Sequence, residues 1–411
     1  MEKILFEDNS HFNLLPLTFT RPLFELRAGI FTCKERWSHI YGEEMYAYAY
    51  DYLGAAFNKF PTHNEPCIWI NGKFIPDEEL LKEIEDLGPS SFLSNEKGEV
   101  IAAQFPLSML PGEFSGILGK ELLDALGLKE INTSNDSLAI RQAPDMFLNN
   151  EKLIAYDFEL ITRSRTSQKI RDPYTRIYGA DNLFVEEGVS VKAAIINAED
   201  GPMYIGKGAN LQEGCIIRRS HAICDYAQIS VGAKLRGDTT VGPYSKAGGE
   251  IGNSVIMGYS SKAHEGYLGN SVMGFWCNIG ADTNSSNLKN NYANVRIWNY
   301  QEERFADTGL QFCGLIMGDH SKTAINTMFN TGTVVGVFAN IFGSGFPRNF
   351  IPSFSWGGAH GFSTYQTRKA FEVAEKVMAR RKLNFGDTDK QILNKVFELS
   401  APYRRWEMEK V

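Results

Sequence analysis

The sequence predicts an α/β domain, then a parallel β-helix, then a helical tail, and three observations carry that prediction. Ile205, Leu211, Ile217, Ile223, Ile229, Leu235, Val241 and Ala247 recur at a spacing of six, and a looser run of the same period passes through Met317, Thr323, Phe329, Val335 and Ile341. A period of six fits neither an amphipathic helix nor a simple alternating strand; it is the repeat of a parallel β-helix. Residues 1–165 instead mix short apolar runs with amphipathic stretches, and 367–382 returns to helical spacing with a basic end.

Composition sets the bounds. At 411 residues, 43% hydrophobic and 12% aromatic, the chain has ample material for two or three packed cores. The formal charge of −7 offers no general attraction to nucleic acid or an anionic membrane, so any anionic substrate must be held by local positive charge. Cys33, Cys67, Cys215, Cys224, Cys277 and Cys313 lie without a C-x-x-C pair, and read as free thiols of a reducing compartment. The first residues lack a signal-peptide pattern and no segment approaches a membrane span, so the expected location is cytoplasmic.

In chain order, Cys67-Ile-Trp-Ile70 followed by Asn71-Gly72 reads as a buried strand entering a turn. The stretch 77–88, DEELLKEIEDLG, reads as an amphipathic helix, and 151–170 as a helical connector broken by Asp172-Pro173. The β-helix is expected over 173–350 and the tail over 351–411. Gly, Asn and Asp stand at many hexad corners, where a sharp turn favours residues tolerant of left-handed backbone. Three hexads make one coil of about 18 residues. The phase slips after Ile251-Gly252-Asn253 and is lost over 287–314, which predicts a loop or hairpin leaving the prism, a usual place for functional residues. The stretch 201–207 fits most of a P-loop, but Gly208 replaces its Ser/Thr and a hexad follows where a helix is required.

The slipped region contains His264-Glu-Gly-Tyr267-Leu-Gly, Asn278-Ile-Gly-Ala-Asp-Thr283 and Asn287. These three linked blocks resemble the acetyltransferase segment of the bifunctional GlmU-type enzymes, which act on glucosamine 1-phosphate. The resemblance implies a left-handed β-helix, acetyl-CoA as co-substrate and a homotrimer with acyl-CoA between neighbouring prisms. It makes His264 the base that deprotonates the sugar amine, a role suited to an imidazole whose ordinary pKa is about 6.5. Tyr267 and Asn278 would contact the sugar phosphate and amine, and Asn287 would lie near the acyl group. Arg236 matches the family's phosphate-binding arginine, a task for which a guanidinium is well shaped. The family's substrate lysines have no direct counterparts, and Lys262 and Lys289 are the candidates to replace them.

The text Asn13-Leu-Leu-Pro16-Leu17-Thr18-Phe-Thr-Arg21-Pro22 resembles sugar-1-phosphate nucleotidyltransferases, in the short alternate form fused to hexapeptide domains. Pro16, Leu17, Thr18, Arg21, Arg27, Asn71 and Gly72 are the implied nucleotide-binding residues. The family's Gly-rich phosphate loop is replaced by Phe6-Glu-Asp-Asn-Ser10, and its magnesium-holding Asn-Gly-Asp by Asn71-Gly72-Lys73. Mg²⁺ is implied, but lysine cannot ligate it, which leaves Asp8 and Asp77 as candidate ligands. The expected function is acetyl transfer to an amino-sugar 1-phosphate coupled to formation of a UDP-sugar. The alternatives are an acyltransferase whose first domain only binds a sugar nucleotide, and a non-catalytic regulatory scaffold.

Overall fold

The computed structural model describes residues 1–62, 65–112 and 114–408. The backbone divides into two units. The first comprises 1–14, 20–26 and 31–142, and the second comprises 15–19, 27–30 and 143–411.

The first unit is a six-stranded sheet in the order Tyr46–Ala47, Lys3–Phe6, Pro66–Asn71, Val100–Pro106, Ser91–Asn95, Lys129–Thr133. Val100–Pro106 runs antiparallel to both its neighbours; the other pairings are parallel. The strand expected at 67–70 is its centre, with Trp69 and Ile70 fully buried. The helix expected at 77–88 spans Glu78–Glu85 and turns Leu80 and Ile84 inward. Asp77 caps it, accepting from the Leu80 N–H at 2.8 Å, which satisfies one of the amides a helix start leaves unpaired. Helix Cys33–Tyr41 begins with a reciprocal capping box between Thr32 and Glu35.

The second unit is a parallel β-solenoid. One face has nine strands, from Leu183–Val185 to Phe350–Ile351, and a second has eight, from Arg176–Tyr178 to Met328–Phe329. The third face runs through five strands to Ser261–Lys262, continues across single-residue bridges at Asn278, and resumes from Lys322–Thr323. All eight residues of the first six-residue run are fully buried along the axis, as are Met317 and Val335 of the second. Burying an aliphatic side chain contributes about 1.5–3 kcal/mol, and here every coil adds several.

The slip around Ile251 is a shortened coil: Val241 pairs one coil back with Ile223, but forward with Ile256, fewer residues away. The excursion stays within one coil, since Met273 pairs directly with Met317 and the ladder closes beneath the inserted chain. The insert carries the expected hairpin, Arg296–Asn299 against Arg304–Asp307.

Two kinds of corner stand out. Gly214, Gly232, Gly249, Asp282 and Asn326 take positive φ, as small or αL-tolerant corner residues should. Another corner departs from that expectation. Tyr226, Tyr244, Tyr259, Trp276, His320, Phe338 and Phe354 all have φ between 53° and 62°, and their rings stack coil upon coil. The centroids are as close as 4.4 Å, at Tyr259–Trp276. Left-handed backbone costs an L-residue roughly 1–2 kcal/mol, and each well-placed ring pair returns about 0.5–1.5 kcal/mol. The ladder therefore offsets its own strain. The expected tail helix spans Thr367–Ala379, and a second helix, Asp387–Leu399, follows; Phe371 and Phe397 cover the buried end of the ladder at Phe338 and Phe354.

Helix Asn150–Thr162, the expected connector, belongs to the solenoid unit and lies against strands of the nine-stranded face. Two buried polar side chains tie the 27–30 segment to it. Asn150 Oδ1 accepts from Gly29 N and Asp157 Oδ2 from Ile30 N, at 2.7 and 2.8 Å. Gly29 has φ +81°, and a Cβ there would stand 2.4 Å from Asp157 Oδ2.

All six cysteines are free and buried. Among the described residues no helix is long and apolar enough to cross a membrane. On the nine-stranded face, burial pushes the fully enclosed His221 down to about 4, with Nε2 left unpaired. The folded state therefore binds fewer protons than the unfolded one between about pH 4 and 6.5. Stability from this group is complete above pH 6.5 and is lost as pH falls towards 4, by about 3 kcal/mol. Urea unfolding followed from pH 7 to 4 should show this loss, and His221→Gln should flatten that part of the profile.

Candidate functional site

The residues expected to form an acyl-acceptor site separate into two groups. Arg236, Tyr267 and Asn287 line one cleft of about 740 Å³ on the eight-stranded face. His264, Lys262, Asn278 and Lys289 are not among its lining residues.

The cleft's positive charge comes from three arginines. Arg236 pairs in register with Arg218 one coil earlier, and Arg219 follows at the corner with φ +70°. Glu250 holds Arg236 at 2.5 Å, while Arg219 lies 3.4 Å from both Glu151 and Asp238. The lining thus presents three guanidiniums and one carboxylate, a balance suited to a phosphate. The arginine pair of IRRS lay in plain view as a hexad, and the repeat itself could have flagged Arg218, since it occupies the phase of Arg236 one coil back.

Polar donors sit opposite. Asn287 Nδ2 donates to Tyr267 Oη at 3.0 Å and to Asn270 Oδ1 at 2.8 Å. Burial raises the Tyr267 phenol above its ordinary range, although the Asn287 bond opposes this. Tyr267 therefore stays protonated at neutral pH, and since its oxygen already accepts from Asn287, its O–H is left to donate to a ligand. Gly269 makes the arrangement possible: a Cβ there would fall 2.2 Å from Tyr267 Oη and 2.8 Å from Asn287 Nδ2.

His264 is exposed in the turn that leads into strand Tyr267–Gly269. Lys262 occupies an inward position of the prism instead of a surface one. Its Nζ donates to the carbonyls of Gly248 and His264, at 3.0 and 2.6 Å, and burial lowers it to about 8. The ammonium is spent on fixing the His264 turn and is not presented to a sugar phosphate. Asn278 is exposed on the third face, bridging Ser261 and Lys322. Lys289 donates to the Asn294 carbonyl at 2.6 Å and lines a different cavity.

In the first unit the loop that replaces the Gly-rich turn spends its amides on itself: Ser10 N donates to Asp8 Oδ1 and His11 N to the Asp8 carbonyl. Lys73 is buried, and its Nζ lies 2.6 Å from both Asp8 Oδ2 and Glu99 Oε1. Arg141 grips Glu99 through Nε and Nη2, at 2.9 and 2.8 Å. Burial pulls the Glu99 carboxyl upward, but the bonds from Arg141, Lys73 and Asn95 outweigh it and hold it well below the usual range. Asn71 Nδ2 donates to the same Asp8 oxygen at 3.0 Å. The position where magnesium was expected is thus built around an ammonium whose carboxylates are already paired, and Asp77 is a helix cap. These residues do not fit a carboxylate-held divalent ion.

The other expected nucleotide contacts are scattered. Leu17 and Thr18 are fully buried and, with Pro16 and Arg27, belong to the solenoid unit; Arg27 Nη1 donates to the Ile30 carbonyl. Arg21, half-buried, belongs to the first unit. Gly72 packs on Phe24, where a Cβ would meet the Phe24 Cβ at 2.5 Å.

Two substitutions test this geometry. Gly269→Ala should leave the fold intact but displace the Tyr267–Asn287 pair, weakening the binding of a sugar phosphate by about tenfold or more in titration calorimetry. Lys73→Met leaves Asp8 and Glu99 without their shared cation. It should cost the first unit about 3–5 kcal/mol in denaturant unfolding, more than Arg141→Met at the half-exposed end of the network.

Residues 3–166 match the family model described as sugar nucleotidyl transferase. A "bifunctional sugar-1-phosphate nucleotidylyltransferase/acetyltransferase" of Sulfurisphaera tokodaii is 30% identical over 160 residues, covering 38% of this chain and 37% of that protein. A "bifunctional protein GlmU" of Rippkaea orientalis is 26% identical over 170 residues, 36% of this chain and 33% of that one. The matched stretches thus span about a third of the length of these relatives. Among solved structures, the polySia specific acetyltransferase NeuO aligns over 51% of this chain and 93% of its own, with 13% identity and a TM-score of 0.28. Residues 3–166 thus match a sugar nucleotidyl transferase domain, a β-solenoid follows it, and over its matched stretches the chain is similar to GlmU-type bifunctional proteins.

Proposed function

We propose that the solenoid transfers an acetyl group from acetyl-CoA to the amine of an amino-sugar 1-phosphate, and that the first unit joins the resulting sugar phosphate to a nucleotide. The observation that carries the first step is the cleft of Arg218, Arg219 and Arg236 facing the Tyr267–Asn287 pair. The arginines hold the phosphate and Tyr267 donates to the sugar. The amine attacks the thioester carbonyl, the carbon–sulfur bond breaks, and CoA leaves as thiol. His264 takes the proton the amine loses, a step worth about 10²–10⁴ in rate. Its turn is exposed and held by Lys262, and a homotrimer, with a second protomer against the exposed faces, is part of this proposal.

For the second step, the sugar phosphate oxygen attacks the α-phosphorus of UTP and pyrophosphate leaves. Mg²⁺ belongs to this reading only as a companion of the triphosphate, because the Asp8–Lys73–Glu99 network leaves no carboxylate set to hold it. The same network favours the narrower reading in which the first unit binds a sugar nucleotide without turning it over.

One two-part assay decides. Thiol release from acetyl-CoA with glucosamine 1-phosphate should be seen and should fall by about 10²-fold or more in His264→Ala. A His264→Ala enzyme as fast as the parent would overturn the base assignment. Pyrophosphate release from UTP with N-acetylglucosamine 1-phosphate should accompany it, and thiol without pyrophosphate would select the narrower reading.

A further inference from the structure

A second cavity, of about 860 Å³, lies at the C-terminal end of the solenoid, away from the strands that carry the arginine cleft. It is built by the insert with its hairpin, by Thr331, by the segment 348–362 and by the segment 403–406. Its cations are Lys289, Arg296, Arg348 and Arg405, and among the described residues no carboxylate lines it. That is a strong segregation in a chain of net charge −7. Arg296 and Lys289 donate to the backbone carbonyls of Phe305 and Asn294, which leaves their charge uncompensated. Arg348 and Arg405 are exposed and form no ion pair among the described residues.

Much of the rest of the lining is aromatic. Trp298 lies flat on Phe350, centroids 4.2 Å apart at 9°, with Tyr403 edge-on to both. Phe362 and Trp406 lie beside each other, centroids 5.9 Å apart. Trp298 Nε1 is buried and has no hydrogen-bond partner, a donor that native structures seldom leave unused. Aromatic faces take up planar rings and guanidiniums take up phosphates, and a cavity of this size is within the range of small-molecule sites. The arginine cleft, by contrast, offers guanidiniums with a phenol and amides, a lining for a sugar phosphate.

We propose that this second cavity binds a nucleotide, its base against the Trp298 and Trp406 walls and its phosphates on Arg348, Arg405, Arg296 and Lys289. Two sources share that chemistry: the nucleotide half of coenzyme A, and a free uridine nucleotide. The first has support in the chain itself, because Asn287 lines the acceptor cleft and Lys289, two residues on, lines this cavity. In that form the inference rests on the acetyl-transfer reading; nucleotide binding as such does not.

Titration calorimetry on the full chain with coenzyme A, adenosine 3′,5′-bisphosphate, pantetheine and UTP tests it. The parent should bind at least one nucleotide, and Arg348→Ala/Arg405→Ala should weaken that binding by about tenfold or more while its thermal unfolding matches the parent's. The pair Arg348→Lys/Arg405→Lys, which keeps the charge, should recover much of the loss and guards against a folding defect. A loss for coenzyme A and the bisphosphate but not pantetheine assigns the cavity to the acyl donor; a loss confined to UTP assigns it to a free nucleotide. A parent that binds none of these nucleotides, or a double variant that binds them as the parent does, overturns the proposal. Because binding is read without turnover, a protein that binds nucleotide here yet releases no thiol would refute acetyl transfer and leave this site standing.

Discussion

The register of one coil upon the next is the constraint on which the solenoid depends. Each short strand hydrogen-bonds only to the coils before and after it, so the aliphatic column can close only if every coil turns its corners at the same height. That requirement forces left-handed backbone at the corners. It is met in two ways, by small or αL-tolerant residues at some corners and by a stack of aromatic rings at another, where each ring supports the strained residue above it. Coil length can change, as it does after Val241, provided the inward residues still meet: Val241 finds Ile256 as readily as Ile223.

Strict register also explains how the fold carries clefts and an insert without losing its core. The insert between Ser285 and Ile316 leaves and returns within a single coil, so the ladder beneath it is unbroken while the inserted hairpin is free to shape a cavity wall. Asn287, at the start of that insert, can then reach back to Tyr267 and Asn270 of the coil below. Gly269 between them is small because the tyrosine ring crosses it. Identical ladder positions place guanidiniums above one another, so Arg218 and Arg236 form one electrostatic surface from a repeated phase.

The first unit illustrates a different economy. A lysine stands between two carboxylates, with an arginine closing one of them. The pairing compensates the desolvation of an almost wholly buried ammonium, and it commits both acids to a cation supplied by the chain itself. Charge neutralisation there is covalently attached to the fold, and this distinguishes the unit from one arranged around a metal ion.

Periodicity alone determined the β-solenoid, its axial residues and the position of its interruption, because a six-residue repeat of inward aliphatics has few other physical meanings. The GlmU-type blocks likewise pointed to Arg236, Tyr267 and Asn287, which the fold brings together. Tertiary structure decided the rest. Whether a residue near a phase slip points in or out depends on how the shortened coil is closed, and so Lys262 faces the axis while His264 is exposed. Three consecutive hexads lie on three different faces, so Asn278, close to Tyr267 in sequence, belongs to another side of the prism. The aromatic corner and the pairing of Lys73 with Asp8 and Glu99 join residues a coil or many tens of positions apart. Local sequence carries no record of such contacts, because they arise only when separate segments are packed against one another.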